Sequence, residues 1–275
     1  MLKKAVIAGV LSIGLILSGC GQKGDQTTAG KDKLNAEQVL SEVGKASEKL
    51  KNYEMTAKMD MEMESNGQTM KMPSNITSQI QLDPLLVHQK MDTENNGTPV
   101  NLEMYVTKDE TYVNSQNQWI KMKNDGTAEL IKATENMNPS KKIEQMKKFA
   151  KDLSLTEDKD NYEIKFSGKG DSVKDFAKEM MVENLEAKQA EALKQQFDKM
   201  KIDEISFGYT VDKKTFYPTK VSLNLNMAIE ENGQTAKIKM KMDSTSSKFN
   251  ELKDLSIPED VKKNAKEVDP NKVAG

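Results

Sequence analysis

Apolar and polar residues alternate along much of this chain of 275 residues. In residues 53–64, YEMTAKMDMEME, every odd position carries an apolar or aromatic side chain and every even position a polar one. Because successive side chains of a strand point to opposite faces, this period of two predicts a strand with one apolar and one solvated face. Four of the odd positions are methionine, although β-branched residues fit a strand better.

The same alternation recurs in six further runs. One-sided runs are typical of antiparallel sheets, whereas strands buried on both faces read as continuous apolar stretches. Asn66-Gly67, Asn96-Gly97 and Asn232-Gly233 supply residues that readily adopt positive φ, and the spacing of such turn signals predicts about ten strands. The apolar members of the six runs are Ile76, Ile80 and Leu82; Val100, Leu102, Met104 and Val106; Tyr162, Ile164 and Phe166; Ile205, Phe207, Tyr209 and Val211; Val221, Leu223, Leu225, Met227 and Ile229; and Ile238, Met240 and Met242.

Three segments instead show helical spacing. Asn35 as N-cap and Gln38 at the third helical position predict a helix that runs to about Asn52. Ser140–Leu155 and Ser172–Met200 carry their apolar residues near one helix face. A one-sided sheet and amphipathic helices bury their apolar surfaces on each other. The pattern therefore predicts an α+β fold, a strongly curved antiparallel half-barrel whose concave face is covered by helices.

The N-terminus predicts export and lipid anchoring. Lys3 and Lys4 precede an apolar run, residues 5–17, that is too short to span a bilayer comfortably, and the run ends at Leu-Ser-Gly-Cys. This tetrapeptide closely resembles the lipobox of bacterial lipoproteins. The resemblance implies that residues 1–19 are a cleaved signal peptide and that Cys20 becomes a lipidated first residue. The expected location is the extracytoplasmic face of the cell membrane.

The rest of the chain divides by composition. Residues 20–33 are polar and predict a flexible tether, residues 34–260 hold the alternating runs and predict one folded domain, and residues 261–275 read as a polar tail. Within the domain, MEMESNGQTMKM at 61–72 echoes MAIEENGQTAKIKM at 227–240. The two segments share the turn sequence Asn-Gly-Gln-Thr and its apolar flanks, which the common requirements of a hairpin turn explain. A duplicated order of helix and strands also fits this similarity.

Charge and composition exclude several functions. The formal net charge is −2 and all 41 basic residues are lysine, which disfavours nucleic-acid binding. Cys20 is the single cysteine and His88 the single histidine, so no disulfide, usual zinc site or catalytic triad is expected. Trp119 with Tyr105 and Tyr112 is interpreted as packing rather than a sugar platform. The sequence predicts neither an enzyme nor a cofactor.

A family resemblance adds a ligand class. The lipobox, the polar tether, the first helix ending in KLKNYEM, the meander of strands and the ending LSIPEDV resemble bacterial lipoproteins of the LolA, LolB and LppX/LprG type, including Gram-positive ones. The resemblance covers about residues 34–260 and implies an apolar cavity that accepts acyl chains. The residues predicted to line this cavity are Met59, Met61, Ile80, Leu102, Met104, Phe166, Phe176, Met180, Phe207, Leu223, Leu225, Met227 and Met240.

The eighteen methionines have three interpretations. They fill gaps in an ordinary core, they form a deformable cavity wall, or they bind Cu(I), because unbranched thioethers are adaptable and soft. Met59, Met61, Met63, Met70 and Met72 lie on both sides of one predicted turn and are the candidates for copper. No metal ligand is assigned on this basis.

These features predict a lipid-anchored extracytoplasmic protein that binds a lipid or another hydrophobic molecule between its sheet and helices. The alternative is a structural or interaction lipoprotein of the cell envelope without a ligand, and Met-based Cu(I) binding is a lesser alternative. The expected partner is the membrane, through the anchor, and the sequence names no protein partner.

Overall fold

The computed structural model describes residues 33–95, 97–115, 118–123, 139–177, 200–231, 234–253 and 255–268. The helices there are α1 (Ala36–Ser47), α2 (Pro139–Lys148) and α3 (Glu259–Asn264), with 3-10 turns at Ala150–Asp152 and Gly170–Val173. The strands there are β1 (Asn52–Ser65), β2 (Gln68–Leu82), β3 (Leu85–Asn95), β4 (Thr98–Thr107), β5 (Glu110–Ser115), β6 (Gln118–Lys123), β7 (Ser154–Glu157), β8 (Asn161–Gly168), β9 (Met200–Asp212), β10 (Pro218–Glu231), β11 (Gln234–Ser247) and β12 (Lys266–Glu267).

These strands form one open, curved sheet in the order β12-β6-β5-β4-β3-β2-β1-β11-β10-β9-β8-β7. Two antiparallel meanders, β1–β6 and β7–β11, join where β1 pairs antiparallel with β11. β12 pairs parallel with β6. The predicted antiparallel sheet is thus confirmed, with twelve strands in the described residues rather than about ten. β7 and β12 have four and two residues, too few to show a period of two.

The sheet has an apolar face and a polar face. The apolar face carries Met59 and the other odd positions of β1, and the pairing registers continue it onto the neighbouring strands. Asp60 and the other even positions of β1 lie on the polar face. Register shifts between Pro218 and Lys220, and again between Asn226 and Met227, interrupt the pairing of β10 with β9. Such irregularities bend a strand and add twist, which contributes to the curvature.

The first helix begins where the sequence predicts and ends earlier. The Asn35 side chain accepts a hydrogen bond from the Gln38 N–H at 2.9 Å, and the Gln38 side chain accepts one from the Asn35 N–H at 2.9 Å. This reciprocal pair is a capping box and confirms the predicted start. The predicted end near Asn52 is wrong, because α1 stops at Ser47 and Asn52 pairs with Gln81 in the sheet.

Replacing Asn35 by Ala is expected to lower the free energy of unfolding by about 1 kcal/mol, because the first turn of α1 loses an acceptor for an otherwise unpaired N–H. Urea denaturation followed by circular dichroism measures the change. Asn35→Asp is the matched control, because the carboxylate keeps the acceptor and should retain most of the stability. Equal losses in the two variants would contradict a capping role.

The other two predicted helices do not keep their predicted C-terminal ends. α2 ends at Lys148, and Leu155 lies in β7, where it pairs with Ile164. Pairing at the sheet edge therefore overrides the helical spacing there. Met200, the predicted end of the long third helix, begins β9 and pairs with Ile229. Of that segment the structure describes the 3-10 turn and the helical turn at 174–177. Residues 178–199 lie outside the described residues.

Helices α1 and α2 pack on the apolar face over β8 and β9. Their contact surface is one buried cluster, formed by Val39, Leu40, Val43, Ile143, Met146, Ile164, Tyr209 and Val211. Phe176, from the turn at 174–177, packs on the same face, and its ring stacks on that of Phe166 with centroids 3.9 Å apart. Amphipathic segments therefore cover part of this face. Full coverage of a concave face by helices stays a prediction.

The folded region continues past residue 260, where the sequence analysis placed a polar tail. Ile257 and Val261 are buried against Leu86, Tyr105 and Tyr112 on the polar face. β12 then adds Lys266–Glu267 to the sheet beside β6. The segment from 255 to 268 is thus a strap across the polar face of β3–β6. The sequence does not predict its short helix, because two apolar residues among many charged ones give a weak helical pattern.

Candidate functional site: a methionine patch on the apolar face

Three neighbouring strands bring methionines together on the apolar face. Met61 on β1 lies directly opposite Met72 on β2 and Met240 on β11. The rows on either side add Met63 opposite Met70, and Met59 opposite Met242. Of the nine positions in these three rows, seven are methionine and the others are Ser74 and Ile238. The methionine patch comprises Met59, Met61, Met63, Met70, Met72, Met240 and Met242.

Local and long-range pairing build the patch from two directions. The β1–β2 hairpin turns at Asn66-Gly67, whose φ values of 53° and 75° confirm the predicted positive-φ turn. This tight turn fixes the register that sets Met63 opposite Met70. β11 is far from β1 in the sequence but pairs with it in the sheet, and this register sets Met240 opposite Met61. The sequence predicts the contribution of the hairpin, because its turn lies within the same run, whereas no local pattern identifies β11 as the partner strand of β1.

All seven side chains of the patch are half-buried. Some residues elsewhere on the same face are closed off from solvent, such as Ile80 at 0% and Leu225 at 4% exposure, whereas Leu102 on β4 is half-buried like the patch. A hollow of about 510 Å³ lies at the hairpin end of the patch, lined by Met63, Ser65, Gln68, Thr69 and Met70. The patch is therefore a contiguous apolar surface with space beside it, which is the kind of surface that binding sites use.

The predicted cavity residues fall into several groups. Phe166, Phe176, Leu225 and Met227 are buried in one cluster, against which Phe207, Leu223 and Met240 pack. Ile80 and Met104 belong to a second cluster, with Leu50, Tyr53, Val87 and Val106. Met59 and Met61 lie in the methionine patch, and Leu102 is half-buried on β4. Met180 lies outside the described residues. A single cavity lined by all of them stays a prediction.

A groove of about 620 Å³ lies across the centre of the sheet. Most of its lining belongs to the polar face, which the sequence analysis treated as a solvated surface. Glu62 there lies 3.5 Å from the Lys71 ammonium and 3.4 Å from the Lys239 ammonium, and the hydrogen bond from Lys239 lowers the pKa of Glu62. The lining residues are Asp60, Met61, Glu62, Lys71, Met72, Pro73, Glu204, Ser206, Asn224, Asn226, Lys239, Met240 and Lys241. Mixed charge gives this groove no clear preference for anions or cations.

A second group of polar and aromatic side chains on the polar face lies beside the strap. The Glu110 carboxylate lies 2.5 Å from the Lys121 ammonium and accepts a hydrogen bond from the Tyr112 hydroxyl at 2.8 Å. The hydrogen bond from Lys121 lowers the pKa of Glu110. His88 is half-buried, 2.7 Å from Glu103, and its ring stacks on Tyr105 with centroids 4.3 Å apart. These groups are engaged with one another, which fits structural packing and supports the interpretation of the aromatic cluster.

Two absences hold for the described part of the chain. It contains no group of three or more histidine, cysteine, aspartate or glutamate side chains arranged to hold a metal ion. None of its helices is both long and apolar enough to cross a membrane. The predicted signal peptide, the predicted lipidation site Cys20 and nearly all of the predicted tether lie outside the described residues.

The fold and the site define a protein with one large open antiparallel sheet and a partly covered apolar face. The chain belongs to a family of unknown function, DUF6612, whose sequence model matches residues 35–266. No curated protein matches the chain.

Three solved structures are similar to the chain. LprF from Mycobacterium bovis is 10% identical with a TM-score of 0.42, over 81% of this chain and 96% of that one. The LolA superfamily protein NE2245 from Nitrosomonas europaea is 8% identical with a TM-score of 0.21, over 82% and 96%. A beta-barrel-like DUF1849 protein from Brucella abortus is 11% identical with a TM-score of 0.20, over 71% and 98%. One of these neighbours is a LolA superfamily protein, and LolA is among the types that the sequence resembles.

Proposed function

We propose that this protein is a lipid-anchored extracytoplasmic lipoprotein that binds a lipid or another hydrophobic molecule against the apolar face of its sheet. The observation that carries the proposal is the methionine patch, which stays half-buried next to fully buried clusters on the same face. Flexible thioether side chains reshape around guests of different outline, as they do on promiscuous apolar surfaces. The lipobox at Cys20 supports the anchor and the location.

The energetics of such binding follow from burial of methylene groups. Each CH₂ that leaves water for an apolar surface gains about 0.8 kcal/mol. An acyl chain of about ten methylenes therefore gains about 8 kcal/mol, from which the costs of association and of ordering the chain are subtracted. The hollow beside Met63 and Met70 lies where a chain would enter the patch from the hairpin end.

Replacing Met61 by Glu is expected to weaken uptake of a fluorescent fatty acid at least about tenfold, because a carboxylate at the centre of the patch must lose its hydration when the guest binds. The measurement is fluorescence titration of the chain lacking residues 1–20, with native mass spectrometry for co-purified lipid. The half-buried position should let the variant fold, which circular dichroism checks.

Lys58→Glu is the matched control, because it places the same carboxylate on β1 but at an exposed position of the polar face. Uptake by this variant should equal that of the unchanged protein. Equal uptake by Met61→Glu, or no uptake by any of the three proteins, would overturn the proposed binding surface.

The competing function is a structural or interaction lipoprotein of the cell envelope that holds no guest. The packing of the helical turn at 174–177 favours this second function. Phe176 of that turn stacks on Phe166 and lies edge-on to Phe149, with the centroids of Phe176 and Phe149 5.1 Å apart. These rings already fill part of the apolar face. Absence of lipid uptake together with an unchanged fold would support this second function.

A further inference from the structure

We propose that the methionine patch binds a soft monovalent cation, Cu(I) or Ag(I), through its thioether sulfurs. The central row supplies the first three ligands, Met72, Met61 and Met240, one from each of three adjacent strands. This site is separate from lipid binding in its chemistry, although it uses the same face of the sheet.

The spacing of the central row suits one ion. Side chains directly opposite each other in an antiparallel pair have Cβ atoms about 4.5–5.5 Å apart. A methionine side chain has three rotatable bonds beyond Cα, so the sulfurs of Met72 and Met240 can both turn toward that of Met61. The three thioethers then meet above Met61 as a three-sulfur set. Thioether and thiolate ligands are those that select Cu(I).

The surrounding rows supply further sulfurs. Met59 and Met63 lie two residues from Met61 along β1, about 6.7 Å away along the strand. Met70 and Met242 lie diagonally from Met61, within reach of a long side chain. An ion that loses one ligand of the central row therefore finds another close by, so the patch offers several overlapping sites to a single ion.

The environment of the patch selects against hard cations. Asp60 and Glu62 alternate with the β1 methionines and lie on the polar face, so their oxygens point away from the patch. The Ser74 hydroxyl, in the third row, hydrogen-bonds Thr93 Oγ1 at 2.9 Å. Mg²⁺ and Ca²⁺ require several oxygen ligands. Uncharged sulfurs in a half-buried apolar setting favour a weakly hydrated monovalent ion instead.

The methionines of the patch are more exposed than those inside the buried clusters. Two methionines of the buried clusters are closed off from solvent: Met146 is 1% exposed and Met200 is 4% exposed. The seven methionines of the patch are half-buried and contiguous. An ion can therefore reach their sulfurs without unfolding the sheet.

The test is a competition for Cu(I) under anaerobic conditions between bicinchoninate and the full chain carrying Cys20→Ser, which removes a thiol that would bind copper by itself. The protein should withhold one Cu(I) per chain from the chelator, and Zn(II) should not compete. The triple variant M61L/M72L/M240L should bind Cu(I) at least about 100-fold more weakly. Leucine nearly conserves volume, so the urea midpoint should change little.

The matched control is the triple variant M55L/M91L/M104L, which removes three half-buried methionines of the same face outside the patch. Its Cu(I) affinity should equal that of the unchanged protein. Failure of the unchanged protein to compete with the chelator, or equal affinity in both triple variants, would overturn the proposal. Fatty-acid uptake should survive M61L/M72L/M240L, because leucine keeps the surface apolar, so the two proposals fail independently.

Discussion

Replacing Leu225 by Asp is expected to lower the free energy of unfolding by more than about 3 kcal/mol and to abolish cooperative folding in mild urea. Leu225 is 4% exposed in the cluster that includes Phe166, Phe176, Ile205 and Met227. A carboxylate at this position loses its hydration among aromatic and aliphatic side chains. Urea unfolding followed by circular dichroism measures the loss.

Asn224→Asp is the matched control for this prediction. Asn224 is the preceding residue of β10 and is exposed on the polar face, where its amide donates a hydrogen bond to Ser206 Oγ at 3.1 Å. The same carboxylate there should change the free energy of unfolding by no more than about 0.5 kcal/mol. Similar losses in the two variants would contradict the assignment of the two faces.

Alternation predicted the faces of the sheet because it is a local property of an extended chain. Where a residue faces depends on its parity within a strand, and Met59, Leu223 and Phe166 lie on the apolar face for that reason alone. The capping box at Asn35 and the turn at Asn66-Gly67 are equally local, since each is complete within four residues. Such features can be predicted from sequence without knowing which strands pair.

Strand pairing over long distances is a different problem. β1 and β11 are neighbours in the sheet although Met61 and Met240 are far apart in sequence. The echo between 61–72 and 227–240 was the available signal. The structure places the two echoing hairpins side by side, β2-β1 against β11-β10, with Ser65 opposite Ala236 near their turns. The echo therefore marks the seam between two meanders, each preceded by a helix, which favours the duplicated order.

The candidate site could be predicted only in part for the same reason. The copper hypothesis names five of the six methionines of the β1–β2 hairpin, those near its turn, because that turn is visible in the sequence. Met240 and Met242 enter the patch through the β1–β11 register. The predicted cavity set takes apolar residues from seven strands and from the segment after β8, and so combines positions that the structure assigns to two separate clusters. Parity gives the face of a residue but not its place along the sheet.

Replacing Val261 by Asp is expected to release the strap and to lower the free energy of unfolding by about 2 kcal/mol. Val261 is 4% exposed against Leu86, Tyr105 and Tyr112, and its removal from that contact leaves Ile257 and the pairing of β12 with β6 to hold the segment. Trp119, the single tryptophan, packs on the same cluster with its ring 5.7 Å from that of Tyr105. Its emission should therefore move to longer wavelength as water reaches the indole.

The strap makes this prediction specific, because its release should leave the apolar face intact. Fatty-acid uptake by Val261→Asp should persist under conditions where the tryptophan emission has already shifted. Lys263→Asp is the control, since Lys263 is exposed on the same helix and a carboxylate there touches no buried cluster. That variant should keep the original emission. An unshifted emission in Val261→Asp would mean that the strap does not depend on the buried valine.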